Sequence, residues 1–180
     1  MKRLFLMAIA MVSISAHGAN YTDLAVEAGV RSQNGNVSGS DTNAMIGYQF
    51  GVTGAFPIAE ILSFRTGFLY TQKNFEVEGT AGAGDYKFTY VEVPATLMLK
   101  FTEYAGAYAG VALSLNLDDE CGAASCTGTE SVVTPILIGA SFKFAPQLGL
   151  NLYYETITGK VANGVDDLRA VGANLMITFD

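Results

Sequence analysis

Eight stretches of this chain alternate apolar and polar side chains with a period of two, and that pattern removes most folds from consideration. A two-residue period places alternate side chains on opposite faces of a β-strand. The stretches are residues 21–31, 44–52, 63–75, 90–101, 104–117, 132–144, 148–156 and 168–179. In the first, Leu24, Val26, Ala28 and Val30 oppose Asp23, Glu27 and Arg31. In the second, Ile46, Tyr48, Phe50 and Val52 oppose Gly47, Gln49 and Gly51, and in the last Val171, Leu175 and Ile177 oppose Gly172 and Asn174. The reading is all-β.

The connections alternate in length. Residues 32–43, 76–85, 118–131 and 157–167 form long polar segments, whereas 54–62, 102–103 and 145–147 are shorter. Long on one side and tight on the other is the layout of an eight-stranded antiparallel up-and-down transmembrane β-barrel. Several stretches reach the roughly 9–11 residues that a tilted spanning strand needs. A soluble lipocalin-like barrel shares the period but inverts it, with apolar side chains inside. Here one face carries large apolar residues without interruption, and the other mixes Gly, Ser, Thr, Asn and charges, which would line a poor apolar cavity. Aromatics also gather at the strand ends, as membrane interfaces require. Tyr21, Phe50, Phe64, Phe101, Phe144 and Phe179 are expected near the short turns, and Tyr70, Phe75, Tyr86, Phe88 and Tyr154 near the long segments. The last stretch, GANLMITFD, can pair with the first and close the sheet.

The first 19 residues read as a signal peptide. Lys2 and Arg3 precede an apolar run from Leu4 to Val12, with small residues around Ala16 and Ala19 for cleavage. Residues 20–180 then form the barrel domain. Losing the leader takes the net charge from −7 to −9 and removes the single histidine, His17. So acidic a chain lacks the basic stripe that nucleic-acid binding needs. In an exported protein the close pair Cys121 and Cys126 reads most simply as a disulfide. Two thiolates with no histidine make a poor tetrahedral zinc shell.

YVEVPATLMLKF, residues 90–101, carries the most specific local pattern. An aromatic followed by Val-Glu-Val-Pro, an apolar run and Lys100-Phe101 resembles the fourth-strand signature of the PorT-like family of outer-membrane β-barrel domains. GANLMITF resembles the C-terminal signal read by the outer-membrane assembly machinery, here followed by Asp180. The resemblance implies a cell outer membrane location of the Gram-negative type. It also implies lipid and lipopolysaccharide as surroundings, and the assembly machinery as a partner during biogenesis. A barrel closed on itself is expected to be a monomer.

No cofactor motif stands out. Histidine-dependent chemistry of the kind known on outer-membrane barrels lacks its base once His17 is gone. Asp118, Asp119, Glu120, Asp166 and Asp167 are carboxylates, but their spacing is not that of a calcium loop and reads as solvated loop tips. GTAGAGD, residues 79–85, lacks the Lys-Ser/Thr of a phosphate loop. The polar faces instead predict an ionic interior, in which Glu27, Glu92 and Glu155 meet Arg65, Lys73 and Lys143. An eight-strand barrel has room for such side chains and little else. A non-enzymatic structural or surface-interaction protein is the first expectation, a narrow solute passage the second, and a secreted lipocalin-like binder the third. Pro94 calls for a bulge or a missing ladder bond.

Overall fold

The computed structural model describes residues 23–37, 41–78, 84–121 and 128–179. The expected leader with His17, Tyr21, Cys126, Asp180 and most of the glycine-rich 79–85 segment lie outside these.

Strand-forming alternation is realised throughout. The strands are β1 (Asp23–Val37), β2 (Asp41–Ala59), β3 (Leu62–Glu78), β4 (Gly84–Thr102), β5 (Ala105–Cys121), β6 (Val132–Val133), β7 (Ile136–Ala145), β8 (Leu148–Ala162) and β9 (Val165–Phe179). Sequence neighbours pair antiparallel, β5 pairs with β7, and β9 pairs with β1, Leu24 facing Phe179. Since β4 also pairs with β5, the pairings run full circle. β6 and β7 are two parts of one wall strand: Ser114 faces Val133 and Val111 faces Ile136 without a change of register. Thr134 and Pro135 separate them, and proline cannot donate to a ladder. The wall is therefore an eight-stranded up-and-down barrel.

Its polarity is that of a membrane barrel. Val30, Ile138 and Leu175 are 56%, 57% and 62% exposed on the outer surface. Glu27, Arg31, Lys73, Glu92 and Glu155 are buried inside. A lipocalin-like binder would have the reverse arrangement, so that alternative falls.

The strands run much farther than the eight stretches predict. β8 continues to Ala162 and β9 begins at Val165, leaving Asn163 and Gly164 where a long segment over 157–167 was expected. Likewise β3 extends to Glu78. The reason lies in the inward residues Val77, Ile157, Val161, Val165 and Leu168, which pack together and hold these polar-looking segments in strand conformation. At ~3.3 Å per residue and a tilt of roughly 40°, a 17-residue strand such as β3 reaches about 40 Å, well beyond an apolar band of ~25 Å. The far ends form a polar collar.

The aromatic placement needs two corrections. Phe75, Tyr86 and Phe88 point into the barrel and are buried, because they share the phase of Glu92 and β4 does not slip between Tyr90 and Val91. Phe50 does not sit apart from Tyr70; their rings stack at 5.0 Å, with Tyr48 alongside. Pro94 leaves a gap rather than a bulge. Thr66 faces Ala95 and Leu69 faces Glu92 in one register, with no bridge between Gly67 or Phe68 and the residues opposite. A bulge does occur on β5, where Leu117 is extra between Asn116 and Asp118.

Candidate functional site

Inward positions on seven of the eight wall strands converge on one polar network. Arg31 of β1 forks onto Glu155 of β8, its two terminal nitrogens at 3.1 and 2.8 Å. Lys73 of β3 bridges Glu155 and Glu92, the latter at 2.7 Å. Glu92 also accepts from Thr71 at 3.0 Å, Ser114 at 2.9 Å and Gln49 at 3.2 Å. Asn174 of β9 donates to Gln49 at 2.8 Å and to Glu27 at 3.2 Å. Glu27 in turn pairs with Arg65 at 2.6 Å and accepts from Thr53. Three cations thus face three carboxylates, each hydrogen-bonded, which is the condition under which buried charges are tolerated.

Five of the six residues expected in an ionic interior stand in this network: Glu27, Arg65, Lys73, Glu92 and Glu155. Lys143 does not. It lies at the turn-side mouth, 3.5 Å from Asp23, which Lys100 also reaches at 2.8 Å. Within the network the partners are specific, with Glu92 taking Lys73 and Glu27 taking Arg65. Arg31, Gln49, Thr71, Ser114 and Asn174 complete it. Each lies on the polar face of its strand, and that phase was the available signal.

Aromatic rings support the charges. The Arg65 guanidinium lies 4.7 Å from the Tyr108 ring centre, and Lys73 Nζ lies 5.4 Å from that of Tyr90. Glycines make room for the rings. A methyl group at Gly172 would come within 2.2 Å of the Tyr153 ring, and one at Gly139 within 2.4 Å of the Tyr108 ring. A cavity of about 20 Å³ remains among Arg65, Leu69, Pro94, Tyr108 and Tyr153, room for about one water.

Beyond Lys73 the interior turns apolar. Phe75, Phe88, Tyr90, Val133, Val161 and Leu168 pack into a buried cluster with Tyr86, Val77 and Val165. Phe75 stacks on Tyr86 at 5.3 Å. Any solute moving along the axis meets first the ionic network and then this apolar seal.

The carboxylates Asp118, Asp119, Glu120, Asp166 and Asp167 lie at the collar. Asp119 accepts from Thr129 Oγ1 at 3.2 Å, Glu120 lies 3.8 Å from Lys87, and Asp167 accepts from the Gly159 N–H at 3.0 Å. Among the described residues, no three His, Cys, Asp or Glu side chains cluster as metal ligands. Cys121 ends β5 beside the apolar cluster, and its expected partner Cys126 lies outside the described residues.

Comparison with known proteins agrees with this geometry. Neisserial surface protein A is 19% identical, with 89% of this chain and 100% of that one covered and a TM-score of 0.58. Ail of Yersinia pestis, solved with the heparin analogue sucrose octasulfate, is 15% identical, with coverage of 89% and 100% and a TM-score of 0.53. OprG of Pseudomonas aeruginosa is 14% identical, with coverage of 89% and 95% and a TM-score of 0.51. At these identities the likeness shows the fold. No curated protein matches the sequence. The family described as outer membrane protein beta-barrel domain matches residues 12–159, and the chain belongs to that family.

Proposed function

We propose that this outer-membrane barrel is non-enzymatic and works by surface contact at its collar rather than as a channel. The filled interior is the observation that carries this reading. From the charged network through the apolar cluster, the axis is occupied by buried side chains. The polar strand ends beyond the apolar band are what the molecule presents outward. Within the family we place it nearest the PorT-like domains, on the aromatic-Val-Glu-Val-Pro pattern of residues 90–94. Export through a cleaved leader, a Cys121–Cys126 disulfide, and surroundings of lipid and lipopolysaccharide belong to the same reading.

Charge narrows the partner. Glu76, Glu78, Asp85, Asp118, Glu120 and Asp167 outnumber Lys87, Lys160 and Arg169 on the collar. A polysulfated ligand of the kind bound to Ail would meet like charge here, which costs affinity and on-rate. Planar-bilayer conductance is the direct test. The purified barrel is expected to show no steady open channel, and a large steady current would establish the narrow-passage alternative instead.

A further inference from the structure

Asn-Gly occurs twice in the chain, as Asn34–Gly35 on β1 and as Asn163–Gly164 at the β8–β9 turn. This dipeptide can modify itself. Glycine has no Cβ in the way, so its backbone nitrogen can reach the preceding carboxamide carbon and close a five-membered imide. Within a sheet the ladder bonds normally hold that nitrogen away from the side chain.

Gly35 lies outside the ladders. The β1–β2 register ends at Gln33 facing Met45, and the β1–β9 register jumps from Asn34 facing Arg169 to Asn36 facing Asp166. Asp167 and Leu168 therefore stand against Gly35 alone, in a bulge where Asp167 takes a φ of 50°. The Gly35 N–H turns to its own neighbour and donates to Asn34 Oδ1 at 2.8 Å. A C=O bond of about 1.23 Å then puts Asn34 Cγ within about 4 Å of that nitrogen, close to a near-attack separation of roughly 3–3.5 Å. Thr42 of β2 adds a donor. Its hydroxyl lies 2.6 Å from Asn34 Oδ1 and 2.5 Å from the Gly35 carbonyl oxygen, and its one proton serves either in turn. Donation to Oδ1 polarises the carboxamide and stabilises the oxyanion formed on attack. Asn163 has the same sequence in another setting. Its carboxamide packs over Gly128, where an added methyl would meet it at 2.6 Å.

We propose that Asn34 is a self-modification site, converted through a cyclic imide with Gly35 to aspartate and isoaspartate with the help of Thr42. The Gly35 nitrogen loses its proton to solvent base and attacks Asn34 Cγ. The new C–N bond forms, the bond to the side-chain nitrogen breaks, and that nitrogen takes up a proton and leaves as ammonia. Water then opens the imide at either carbonyl. Each conversion places a carboxylate across from Arg169 and makes the collar more acidic. It stands apart from whatever the collar contacts.

The test incubates the folded full chain in neutral detergent and mildly alkaline ¹⁸O-water, followed by peptide mass spectrometry and an isoaspartate assay. Asn34 is expected to convert to both products several-fold faster than Asn163, and faster as pH rises. Thr42→Val is expected to slow Asn34 by about fivefold, the worth of one hydrogen bond, and to leave Asn163 unchanged. Thr42→Ser is expected to keep the parent rate. Heat-modifiable migration checks that each variant folds. If Thr42→Val does not fold, the parent's Asn34 and Asn163 rates decide alone. In the urea-unfolded chain the preference for Asn34 is expected to vanish. An Asn34 that stays amidated, or converts no faster than Asn163, would overturn the proposal. So would a preference that survives unfolding, or a folded Thr42→Val with the parent rate.

Discussion

Glu155 is the residue on which the lumen network depends most. It holds Arg31 through two nitrogens and shares Lys73 with Glu92. Truncation would leave two buried cations facing one remaining nearby carboxylate. Glu155→Ala is therefore expected to cost about 3–5 kcal/mol, read as a lower urea midpoint and an earlier loss of heat-modifiable migration. Glu92→Ala removes one salt bridge but also orphans the donors of Ser114 and Thr71, and is expected to cost a few kcal/mol by the same assay. An unchanged midpoint in both would show that water enters and solvates the partners. Asp23 differs, because it clasps Lys100 and Lys143 at a partly exposed mouth. There Asp23→Asn is expected to cost under about 1 kcal/mol.

At the level of elements, Pro94 and Pro135 coincide with breaks in the bonding of the wall. Pro94 cannot donate to β3, and the bridges opposite Gly67 and Phe68 are missing although the register is kept. Pro94→Val has similar bulk and supplies the N–H, so it is expected to raise stability by about 0.5–1.5 kcal/mol. Denaturant midpoints measure the gain, and protection of the new residue-94 amide from exchange locates it. A loss instead would mean that the pyrrolidine ring fills the cavity beside Arg65 and Tyr108 better than valine does. Pro135 interrupts the β6–β7 strand in the same way, beside Ala112, whose N–H still reaches the Pro135 carbonyl at 2.9 Å. The Tyr48–Phe50–Tyr70 stack lies on the outer surface of the neighbouring strands β2 and β3.

The whole molecule is a plug as much as a barrel. Two layers close its axis, an ionic one held by pairing and an apolar one held by packing. Phe88→Ala with Tyr90→Ala would empty the centre of the second layer, at a cost of about 3–5 kcal/mol per buried aromatic. If the variant still folds, with heat-modifiable migration as the check, it is expected to show conductance steps absent from the parent. Silence in a folded variant would place the barrier in the ionic layer. The collar beyond the membrane band carries the acidic surface, so binding at this end should weaken with salt, as exposed charges are screened within about 8–10 Å at physiological ionic strength.

Period and phase determined the all-β class and the eight wall strands; the outward apolar face and five members of the charged lumen needed the composition of the two faces as well. Those follow from local geometry, since a strand separates its faces every second residue whatever surrounds it. Tertiary structure decided what depends on contacts between strands distant in sequence. Lys143 shares the inward phase with Glu155 yet ends at the mouth, because height along the axis is set by cross-strand register. Residues 157–162, 165–167 and 76–78 look like loops when read alone, and are strand because Val77, Val161 and Leu168 pack in one buried cluster. Tyr86 and Phe88 could have served a membrane belt, and only the kept register of β4 turns them inward. In YVEVPATLMLKF, alternation announced Glu92 as an inward carboxylate. The register of β3 against β4 brought Lys73 to pair with it and left Pro94 opposite an unbridged stretch of β3.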